Sequence, residues 1–406
     1  MSNIVEMINE LCPHGVAYLP VCELTEMTAG DRITKDEMSD DMQYPAMGAG
    51  VVPTGWYSDW NREYCITISR AGAGAGTIGW QEGRFWATDV CFVAAQKENG
   101  PMIKYVFYAM KAKEKDLKTH IYGGSMPKID KNYLWHLLIP VPPVEIQEEI
   151  VRILDEYEEK NSQLIAALND ELEARQKQYE YYRDLLLTFD DVSVTISGQT
   201  DRQTDRQRRI AVEWLTLGGV SRKVSSGGTP KKSHADYYGG DIPWLRTQEV
   251  RFNEISSTEM MISEKGLANS SAKWIPANCV IIAISGATAG RCAVNKIPLT
   301  TNQHCCNFEI NEDIALYEYV YHWVCANYKQ LKSQGRGARE DLNAEIIKSF
   351  PIAIPSIEIQ KQIVDTLKEL ERIENAFVAS VKEEITLRQR QLDYYRDKLM
   401  AFQKAS

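Results

Sequence analysis

The sequence predicts an α/β protein built as a tandem duplication, in which two globular domains are each followed by one long helix. Val144–Phe189 and Ile357–Phe402 are identical at 19 of 46 positions when compared without a gap. Neither stretch contains Gly or Pro, and in both the apolar residues recur at steps of three and four, which is typical of helices. The chain of 406 residues is also too long for a single hydrophobic core.

Five parts are predicted along the chain. The globular domains are residues 1–143 and 210–356, the long helices are residues 144–190 and 357–406, and a spacer occupies residues 191–209. The domains repeat less clearly than the helices, with Thr88-Asp89 aligned to Thr301-Asn302 and Ile129-Asp130 to Leu342-Asn343. The matched helices and diverged domains suggest one shared docking role and two different recognition roles.

Composition favours a cytoplasmic protein without a membrane partner. No apolar run reaches the ~18–20 residues of a membrane span, and the first residues lack the basic flank and apolar core of a signal peptide. The nine cysteines include no CxxC pair, which favours reduced thiols over a disulfide framework or a zinc site. Cys305-Cys306 beside His304 is better explained as part of a packed strand than as a metal site.

The net charge of −10 is distributed unevenly along the chain. Residues 144–190 carry 13 acidic and 5 basic side chains, whereas residues 191–356 carry 17 acidic and 19 basic ones. Most of the excess acid therefore belongs to the first long helix. An acidic total does not exclude nucleic-acid binding, but the basic contacts must then be local.

The first domain shows strand and helix patterns separated by turns. Tyr64–Ile68 and Phe85–Val93 are predicted as strands, and Met102–Met110 as a helix that continues towards Leu117. Pro140, Pro142 and Pro143 exclude a helix until about Val144.

Each long helix has an apolar seam that needs a partner. A helix over residues 146–189 would be ~65 Å long, far beyond the usual globular helix. Its heptad-like spacing predicts that the two helices pack against each other, with polar Asn161, Arg175, Glu374 and Arg388 fixing the register. The residues we assign to this seam are Ile146, Ile150, Tyr157, Leu164, Leu168, Tyr182, Ile359, Ile363, Leu370, Phe377, Val381 and Tyr395.

The spacer contains a tetrapeptide duplication, since Thr200–Gln203 (TDRQ) is followed at once by Thr204–Gln207 (TDRQ). One unit adds ~6 Å if it is helical or at most ~13 Å if it is extended. It is therefore interpreted as a spacer whose length changes in units of four residues. A low-complexity linker without such a role is the alternative.

Catalytic signatures are missing from the sequence. Gly74, Gly76 and Gly79 fit G-x-G-x-x-G, but residues 80–86 read as turn and strand, whereas a dinucleotide site needs a helix there. There is no P-loop, no H-E-x-x-H, no Asn/Asp-Pro-Pro-Tyr motif and no histidine spacing of a triad or metal site. The prediction is a chain without catalytic residues and without a metal or cofactor of its own.

At this point the sequence resembles a known family, the specificity (S) subunits of Type I restriction-modification systems. The resemblance covers essentially the whole chain and is most specific in Ile139–Val151, its echo Ile354–Val364, and the helix ends Tyr181–Leu186 and Tyr394–Leu399. In the second domain Ser226–Pro230, Tyr237–Trp244 and Thr301–Gln303 are similar to the usual markers of the family's target-recognition domains. The first domain lacks the Gly-Thr-Pro and Ile-Pro-Trp markers.

The resemblance implies two target-recognition domains in a pseudo-two-fold tandem repeat, separated by two long helices packed as an antiparallel coiled coil. It implies a non-catalytic subunit that reads a bipartite asymmetric site in double-stranded DNA, one domain per half-site. The helices would dock two modification (methyltransferase) subunits, and restriction (helicase-nuclease) subunits would add cleavage. S-adenosylmethionine, ATP and magnesium are implied for those partner subunits.

Base reading needs Arg, Lys, Asn or Gln at the major groove, and these types near turns or glycines supply our candidate DNA contacts. In the first domain the candidates are Asn61, Arg62, Arg70 and Lys128, together with the aromatic residues Tyr57 and Trp60. In the second domain they are Lys231, Lys232, Arg246, Gln248, Arg291, Asn302, Gln303, Arg336 and Arg339.

Two other functions are less well supported by the sequence. A fused methyltransferase or nuclease would need the cofactor motifs that the sequence lacks, although methylation of DNA by the purified chain alone would support it. A coiled-coil interaction protein without a DNA role would not need duplicated but diverged globular domains.

Overall fold

The computed structural model describes residues 2–48, 50–189, 211–335 and 342–405 of the chain. The chain divides into two compact units: unit 1 contains residues 1–169 and 381–406, and unit 2 contains residues 170–380. The spacer 191–209 with its tetrapeptide repeat, Arg336 and Arg339 lie outside the described residues.

Unit 1 contains the first globular domain. Its strands are β1 (Ala17–Pro20), β2 (Thr25–Ala29), β3 (Tyr44–Met47), β4 (Gly55–Tyr57), β5 (Cys65–Ser69), β6 (Ile78–Gln81), β7 (Trp86–Ala87), β8 (Cys91–Gln96), β9 (Ile121–Tyr122), β10 (Lys128–Ile129) and β11 (Leu138–Val141). Its helices are α1 (Ser2–Leu11), α2 (Val21–Leu24), α3 (Ile103–Ala112), α4 (Glu114–Lys118), α5 (Lys131–Trp135) and the first part of α6 (Val144–Leu186), with a 3-10 turn at Lys35–Glu37.

Two sheets form most of that domain. The order β2-β8-β5-β6 is antiparallel throughout, and β4-β3-β7 combines an antiparallel with a parallel pairing. The predicted strand Phe85–Val93 is wrong in detail, because a turn at residues 88–90 separates β7 from β8. The predicted helix Met102–Met110 is α3, and its extension towards Leu117 is a separate helix, α4.

Unit 2 contains the second globular domain. Its strands are β12 (Glu213–Thr216), β13 (Ser221–Ser226), β14 (Tyr238–Leu245), β15 (Asn253–Ile255), β16 (Met261–Ile262), β17 (Trp274–Ile275), β18 (Val280–Ala283), β19 (Cys292–Asn295), β20 (Leu299–Thr301), β21 (Cys305–Ile310) and β22 (Pro351–Ile354). Its helices are α7 (Glu264–Ala268), α8 (Tyr317–Ala326), α9 (Tyr328–Lys332), α10 (Ala344–Lys348) and the first part of α11 (Ile357–Leu399), with 3-10 turns at Ala235–Tyr237, Thr247–Glu249 and Gly286–Thr288.

The second domain repeats the first with additions. Its sheet β13-β21-β18-β19 corresponds to β2-β8-β5-β6, and the pair β12-β22 corresponds to β1-β11. Strand β15 extends the larger sheet through a parallel pairing with β19, and β17 is added to the smaller sheet beside β20. Cys305 and Cys306 are buried in β21, as predicted for a packed strand.

Each unit holds the first part of one long helix and the last part of the other. In unit 1, the rings of Tyr157 and Tyr395 are 5.7 Å apart, and Asn161 Nδ2 donates to the Arg388 carbonyl oxygen at 3.4 Å. Since the residue number rises along α6 as it falls along α11, the helices are antiparallel there. In unit 2, the Arg175 guanidinium lies 5.4 Å from the Phe377 ring centre, and Tyr179 donates to Glu371 at 2.6 Å, again in antiparallel order.

The first turns of the long helices belong to the domain cores. Ile146 and Ile150 are buried with Tyr105 and Ile139 in the core of unit 1, which also includes Leu399. Ile363 is buried in the core of unit 2, and Ile359 and Leu370 pack against that core. Of the other seam residues, Val381 is buried, Leu168 and Phe377 are half-buried, and Leu164 and Tyr182 are exposed.

A buried glutamine joins each long helix to its domain. Gln147 accepts a hydrogen bond from the Met102 backbone N–H at 2.9 Å and donates to the Pro142 carbonyl oxygen at 2.7 Å. Its repeat, Gln360, accepts from the Leu316 N–H at 2.9 Å and donates to the Pro355 carbonyl at 2.9 Å. Gln360 also donates to the Ile314 carbonyl at 3.1 Å. The two glutamines therefore satisfy backbone groups where α3 and α8 begin.

Gln360→Ala is expected to lower the free energy of unfolding by about 2–4 kcal/mol, because it leaves buried backbone groups without partners. Gln360 is 0% exposed. Urea unfolding followed by circular dichroism measures the change, and the exposed Gln362→Ala on the same helix is the control. A loss below about 0.5 kcal/mol, the size typical of surface substitutions, would contradict this role.

His322 in α8 is a buried titratable group of unit 2, with 3% of its surface exposed. Burial is the main cause that lowers the pKa of this imidazole, the charges of Arg183 and Lys368 add to it and Glu318 opposes it, and the resulting pKa is about 4. His322 Nδ1 lies 3.8 Å from Glu371 Oε1 and has no hydrogen-bond partner among the described residues. The side chain is therefore neutral near pH 7.

The depressed pKa of His322 predicts a pH-dependent contribution to stability. The unfolded state binds a proton near pH 6.5 and the folded state only near pH 4, so stability is lost as the pH falls through this window. Relative to His322→Phe, the free energy of unfolding should fall by about 3 kcal/mol between pH 7 and pH 4. Urea unfolding across this range measures it; parallel pH profiles of the two proteins would refute the prediction.

Candidate nucleic-acid interface

The glycine-rich loop of the first domain is a turn with a counterpart in the second domain. Gly76 N–H donates to the Ser69 carbonyl at 2.8 Å, and Gly290 N–H donates to the Ala283 carbonyl at 2.8 Å. Both glycines have positive φ, 78° and 82°, which favours glycine. Strand β6 follows the first loop, and β19 follows the second. The predicted turn followed by a strand is confirmed, and the helix N-terminus that a dinucleotide site needs is absent from this part of the structure.

The sequence markers of the second domain come together in one loop cluster. Gly228 N–H donates to the Thr301 carbonyl at 2.9 Å, and Trp244 Nε1 donates to the Gly228 carbonyl at 2.9 Å. A Cβ atom on Gly227 would lie 1.9 Å from the Thr301 carbonyl oxygen. Only glycine allows so close an approach of the two backbones. The segment at 226–230 is thus fixed against the turn at 301–303.

Polar side chains cover this cluster. Thr229 Oγ1 donates to Gln303 Oε1, Gln303 Nε2 lies 3.1 Å from His304 Nε2, and Ser285 Oγ lies 2.8 Å from His304 Nδ1. Thr229, Ser285, Gln303 and His304 thus form one connected group of polar side chains. Lys231 and Lys232 are exposed just after Thr229 in the chain. His304, Ser285 and Thr229 are not among the candidates predicted from the sequence. His304 is next to the candidate Gln303, and Thr229 belongs to the Gly-Thr-Pro marker, so these two could have been predicted.

Other candidates of the second domain are engaged within it. Arg246 forms ion pairs with Glu259 at 2.6 Å and with the buried Glu249 at 3.5 Å. When the amide oxygen of Gln248 faces Arg246, it accepts hydrogen bonds from the same guanidinium. Asn302 is buried, and its Oδ1 accepts from the His304 N–H at 3.1 Å within the turn. Arg291 is half-buried, and its side chain has no hydrogen bond or ion pair with the described residues.

Four candidates of the first domain lie in one region beside β7. The rings of Tyr57 and Trp86 are 4.8 Å apart, and the Arg84 guanidinium lies 4.4 Å from the Trp60 ring centre. Asn61 bonds to both backbone groups of Ala87 at 3.1 and 2.7 Å. Arg62 donates to the Asn61 carbonyl at 2.7 Å and to Thr28 at 3.3 Å. Their DNA contacts stay a prediction.

Arg70 and Lys128 form a second region of the first domain. The Ile129 N–H donates to the Arg70 carbonyl at 3.0 Å, and Lys128 pairs with Ala71 through a backbone bridge. Both side chains are exposed. Among the described residues the Arg70 guanidinium donates only to the Asp89 carbonyl, at 3.3 Å, and it lies 5.5 Å from the Phe92 ring centre.

The loop clusters of the two domains share a backbone but not their side chains. Asp31 N–H donates to the Ala87 carbonyl at 2.8 Å, as Gly228 N–H donates to that of Thr301 at 2.9 Å. Thr88 therefore corresponds to Asn302, one residue away from the predicted alignment with Thr301. Gln303 then corresponds to Asp89, and Thr229 to the exposed Arg32. Arg32 is not among the candidates predicted from the sequence, although it lies two residues after Gly30 and is thus a basic residue near a glycine.

Comparison with known families decides what such a chain is. The family model described as the Type I restriction modification DNA specificity domain matches residues 16–174 and 211–387. The chain belongs to this family. Two matches in one chain correspond to the two globular domains with the adjoining parts of the long helices.

Individual relatives agree with this assignment. The specificity subunit of the Type I restriction enzyme EcoR124I/EcoR124II of Escherichia coli is 31% identical over 326 residues, covering 77% of this chain and 74% of that one. The MjaIX specificity subunit of Methanocaldococcus jannaschii is 32% identical over 151 residues, covering 36% and 34%. As a specificity subunit, the chain is a non-catalytic component that serves DNA sequence recognition in a restriction-modification complex.

The fold also matches a solved structure. A chain from work on the assembly and conformational transition of a type I restriction-modification system is 14% identical, with a TM-score of 0.67 and coverage of 95% of this chain and 97% of that one. The predicted fold class, with two repeated α/β domains and antiparallel long helices, is confirmed. Among the described residues, no helix is long and apolar enough to cross a membrane, and no His/Cys/Asp/Glu group is arranged to hold a metal ion.

Arg246→Ala is expected to destabilise unit 2 by about 2 kcal/mol, because it leaves the buried Glu249 without its cation. The exposed Gln303→Ala is the comparison and should stay within about 0.5 kcal/mol of the unchanged protein. Urea unfolding of both variants separates the two roles. Equal stabilities would contradict the structural role of Arg246 and return it to the DNA-contact candidates.

Proposed function

We propose that the chain reads a bipartite, asymmetric site in double-stranded DNA, with one globular domain on each half-site. The observation that carries this proposal is the pair of loop clusters with the same backbone hydrogen bonds and different exposed side chains. Asp89 and Arg32 in the first domain stand where Gln303 and Thr229 stand in the second. Equivalent positions with different donors and acceptors would select different bases.

The side chains support a division between base reading and phosphate binding. A glutamine amide matches the N6 and N7 edge of adenine, and an arginine matches guanine. Gln303 is therefore proposed as a base-reading residue, and Arg70 and Arg32 as candidates in the other domain. Lys231, Lys232 and Lys128, which are exposed and flexible cations, are proposed as phosphate contacts that position the domains without selecting sequence.

The long helices are proposed to dock two modification (methyltransferase) subunits. Their solvent side carries apolar and aromatic residues that a helix without a partner would not need, including Tyr181, Tyr182, Ile373, Leu387 and Tyr394. Tyr181 and Tyr394 are repeats of each other, as expected if both halves bind the same kind of protein. Restriction (helicase-nuclease) subunits would join through this assembly.

The chemistry would lie entirely in the partner subunits. S-adenosylmethionine would serve the modification subunits, and ATP and magnesium the restriction subunits, in the cytoplasm. The chain's part would be to select the site and to hold two half-site preferences at a set distance. Helices of 43 residues, ~65 Å long, suit half-sites about one or two turns of B-DNA apart.

Deleting Thr204–Gln207 is expected to change the gap between the half-sites by a few base pairs and to leave both half-sequences unchanged. The reason is that the spacer would set distance, whereas the loop clusters would set sequence. Methylation-site mapping of the assembled complex, with the unchanged chain as control, measures both properties. An altered half-sequence, or a methylated site with a single continuous motif, would refute the proposal.

A further inference from the structure

Unit 2 contains a cleft lined by polar and aromatic side chains. It has a volume of about 580 Å³ and lies between the second domain, the part of α6 at Gln176 and Tyr179, and the part of α11 from Lys368 to Asn375. Its wall includes the rings of Tyr179, Tyr317 and Tyr321 and the polar groups of His322, Glu371 and Glu374.

The corresponding region of unit 1 is filled by its own side chains. Trp80 pairs with Ile66 in the sheet as Val294 pairs with Val280, so valine replaces tryptophan in unit 2. The Lys104 ammonium lies 4.5 Å from the Trp80 ring centre and 3.5 Å from Asp155 Oδ1, and this lysine is 8% exposed. The Tyr108 hydroxyl donates to Asp155 at 2.5 Å and lies 3.0 Å from Glu158 Oε2. Aromatic, cationic and carboxylate groups thus satisfy one another there.

In unit 2 the equivalent positions leave one buried polar atom, His322 Nδ1, without a partner among the described residues. His322 stands where Tyr108 stands in unit 1, since Tyr105 and its repeat Tyr319 both donate to the equivalent edge strand, at Pro140 and Ala353. The buried His322 Nδ1 has no hydrogen-bond partner among the described residues and is 3.8 Å from Glu371 Oε1, too far for a direct bond. A group with N–H donors placed in the cleft would satisfy His322 Nδ1 and could also donate to the Glu371 carboxylate, whose Oε1 already accepts from Tyr179.

The carboxylates of the cleft exceed its available cations. Lys296 is paired with Glu254 at 2.9 Å, Lys368 with Glu318 at 2.9 Å, and Arg372 with Glu369 at 2.7 Å. Within the described ranges, neither Glu371 nor Glu374 has a Lys or Arg partner. The cleft therefore favours a cation, and its three tyrosine rings favour a planar one.

We propose that this cleft receives an arginine side chain of the protein that docks on the helix pair of unit 2. A guanidinium presents several N–H donors in a plane, so it can bond to Glu371 and His322 together while it stacks on a tyrosine ring. Lysine, with a compact tetrahedral head, matches this set less well. The identity of the docked protein as a modification subunit rests on the proposed function.

An adjoining apolar surface favours a protein over a free small cation. Tyr179 and Glu374 also line a second cavity, whose other walls include Tyr182, Leu370, Ile373 and Phe377. Tyr182 and Ile373 are 42% and 53% exposed. Arg and Tyr side chains in desolvated pockets near the centre of a protein interface are among those that contribute most to binding.

Titration of the full chain with its modification subunit tests the proposal, using Glu371→Gln, Val294→Trp and the control Asp365→Asn. Glu371→Gln keeps the acceptor for Tyr179, and Val294→Trp fills the cleft as Trp80 does in unit 1. Asp365 is an exposed carboxylate on the same helix that does not line the cleft. Thermal melting establishes that each variant is folded.

Because Glu371 lies in unit 2 and the equivalent side chains of unit 1 bond to one another, Glu371→Gln should weaken one of two binding steps by about ten- to hundredfold and leave the other unchanged. Val294→Trp should have the same effect, and Asp365→Asn should change neither step by more than about twofold. If Val294→Trp does not fold, Glu371→Gln alone decides. Both steps unchanged in Glu371→Gln would overturn the inference.

Two further outcomes separate this inference from the proposed function. If the unchanged chain binds no modification subunit, the proposed docking role itself is wrong. A second titration uses N-acetyl-arginine amide and spermidine as free cations. If either binds with a requirement for Glu371 while assembly does not depend on Glu371, the cleft serves a free cation, and the inference of a docked arginine is overturned.

Discussion

A buried glutamine in the first turn of each long helix ties that helix to the domain before it, and the remainder of each unit is arranged around this join. Backbone groups at the starts of α3 and α8 have no helical partner of their own. A glutamine amide carries both donors and acceptors, so Gln147 and Gln360 can satisfy two chain segments at once. With Ile146, Ile150 and Ile363 buried beside these joins, turning either helix would open a domain core. Because each helix is anchored in this way, the position of the helix determines the position of the domain before it.

Around these joins, equivalent positions of the two units have the same place in the fold but carry different side chains. Lys104 and Asp155 form an ion pair in unit 1, and the equivalent Glu318 and Lys368 form one in unit 2 with the charges reversed. The packing thus requires opposite charges at these two places but not a particular order. The loop clusters follow the same principle, because backbone hydrogen bonds fix their shape and leave Arg32, Asp89, Thr229 and Gln303 free to differ. Divergence of this kind can change recognition without changing the fold.

Most of the architecture could be predicted from the sequence because it rests on periodicity and repetition. The two long helices and the duplication follow from spacing and identity, whereas the antiparallel direction came only from the family resemblance, since a heptad seam is compatible with either direction. The loop alignment was one residue in error because the offset between the repeats is 214 at Thr88 and Asn302 but 213 in the long helices. The site was harder to predict. Arginine at position 246 is a reasonable DNA contact until Glu259, thirteen residues away, is seen to bind it. Such pairings depend on the tertiary fold.

The acidic character of the first long helix, α6, is consistent with a chain that recognises DNA elsewhere. Many carboxylates of α6 form ion pairs with basic side chains one turn away, as Glu156 does with Lys160 and Glu173 with Lys177. Such exposed pairs add little stability. The excess of acid over base in α6 remains, and it repels phosphate over roughly a Debye length of ~8–10 Å. DNA would therefore be disfavoured along α6 and favoured at loops where Lys128, Arg70, Lys231 and Lys232 are exposed. The same negative field attracts a basic partner protein. Charge would thus favour different surfaces for the proposed DNA contacts and for the proposed protein partner.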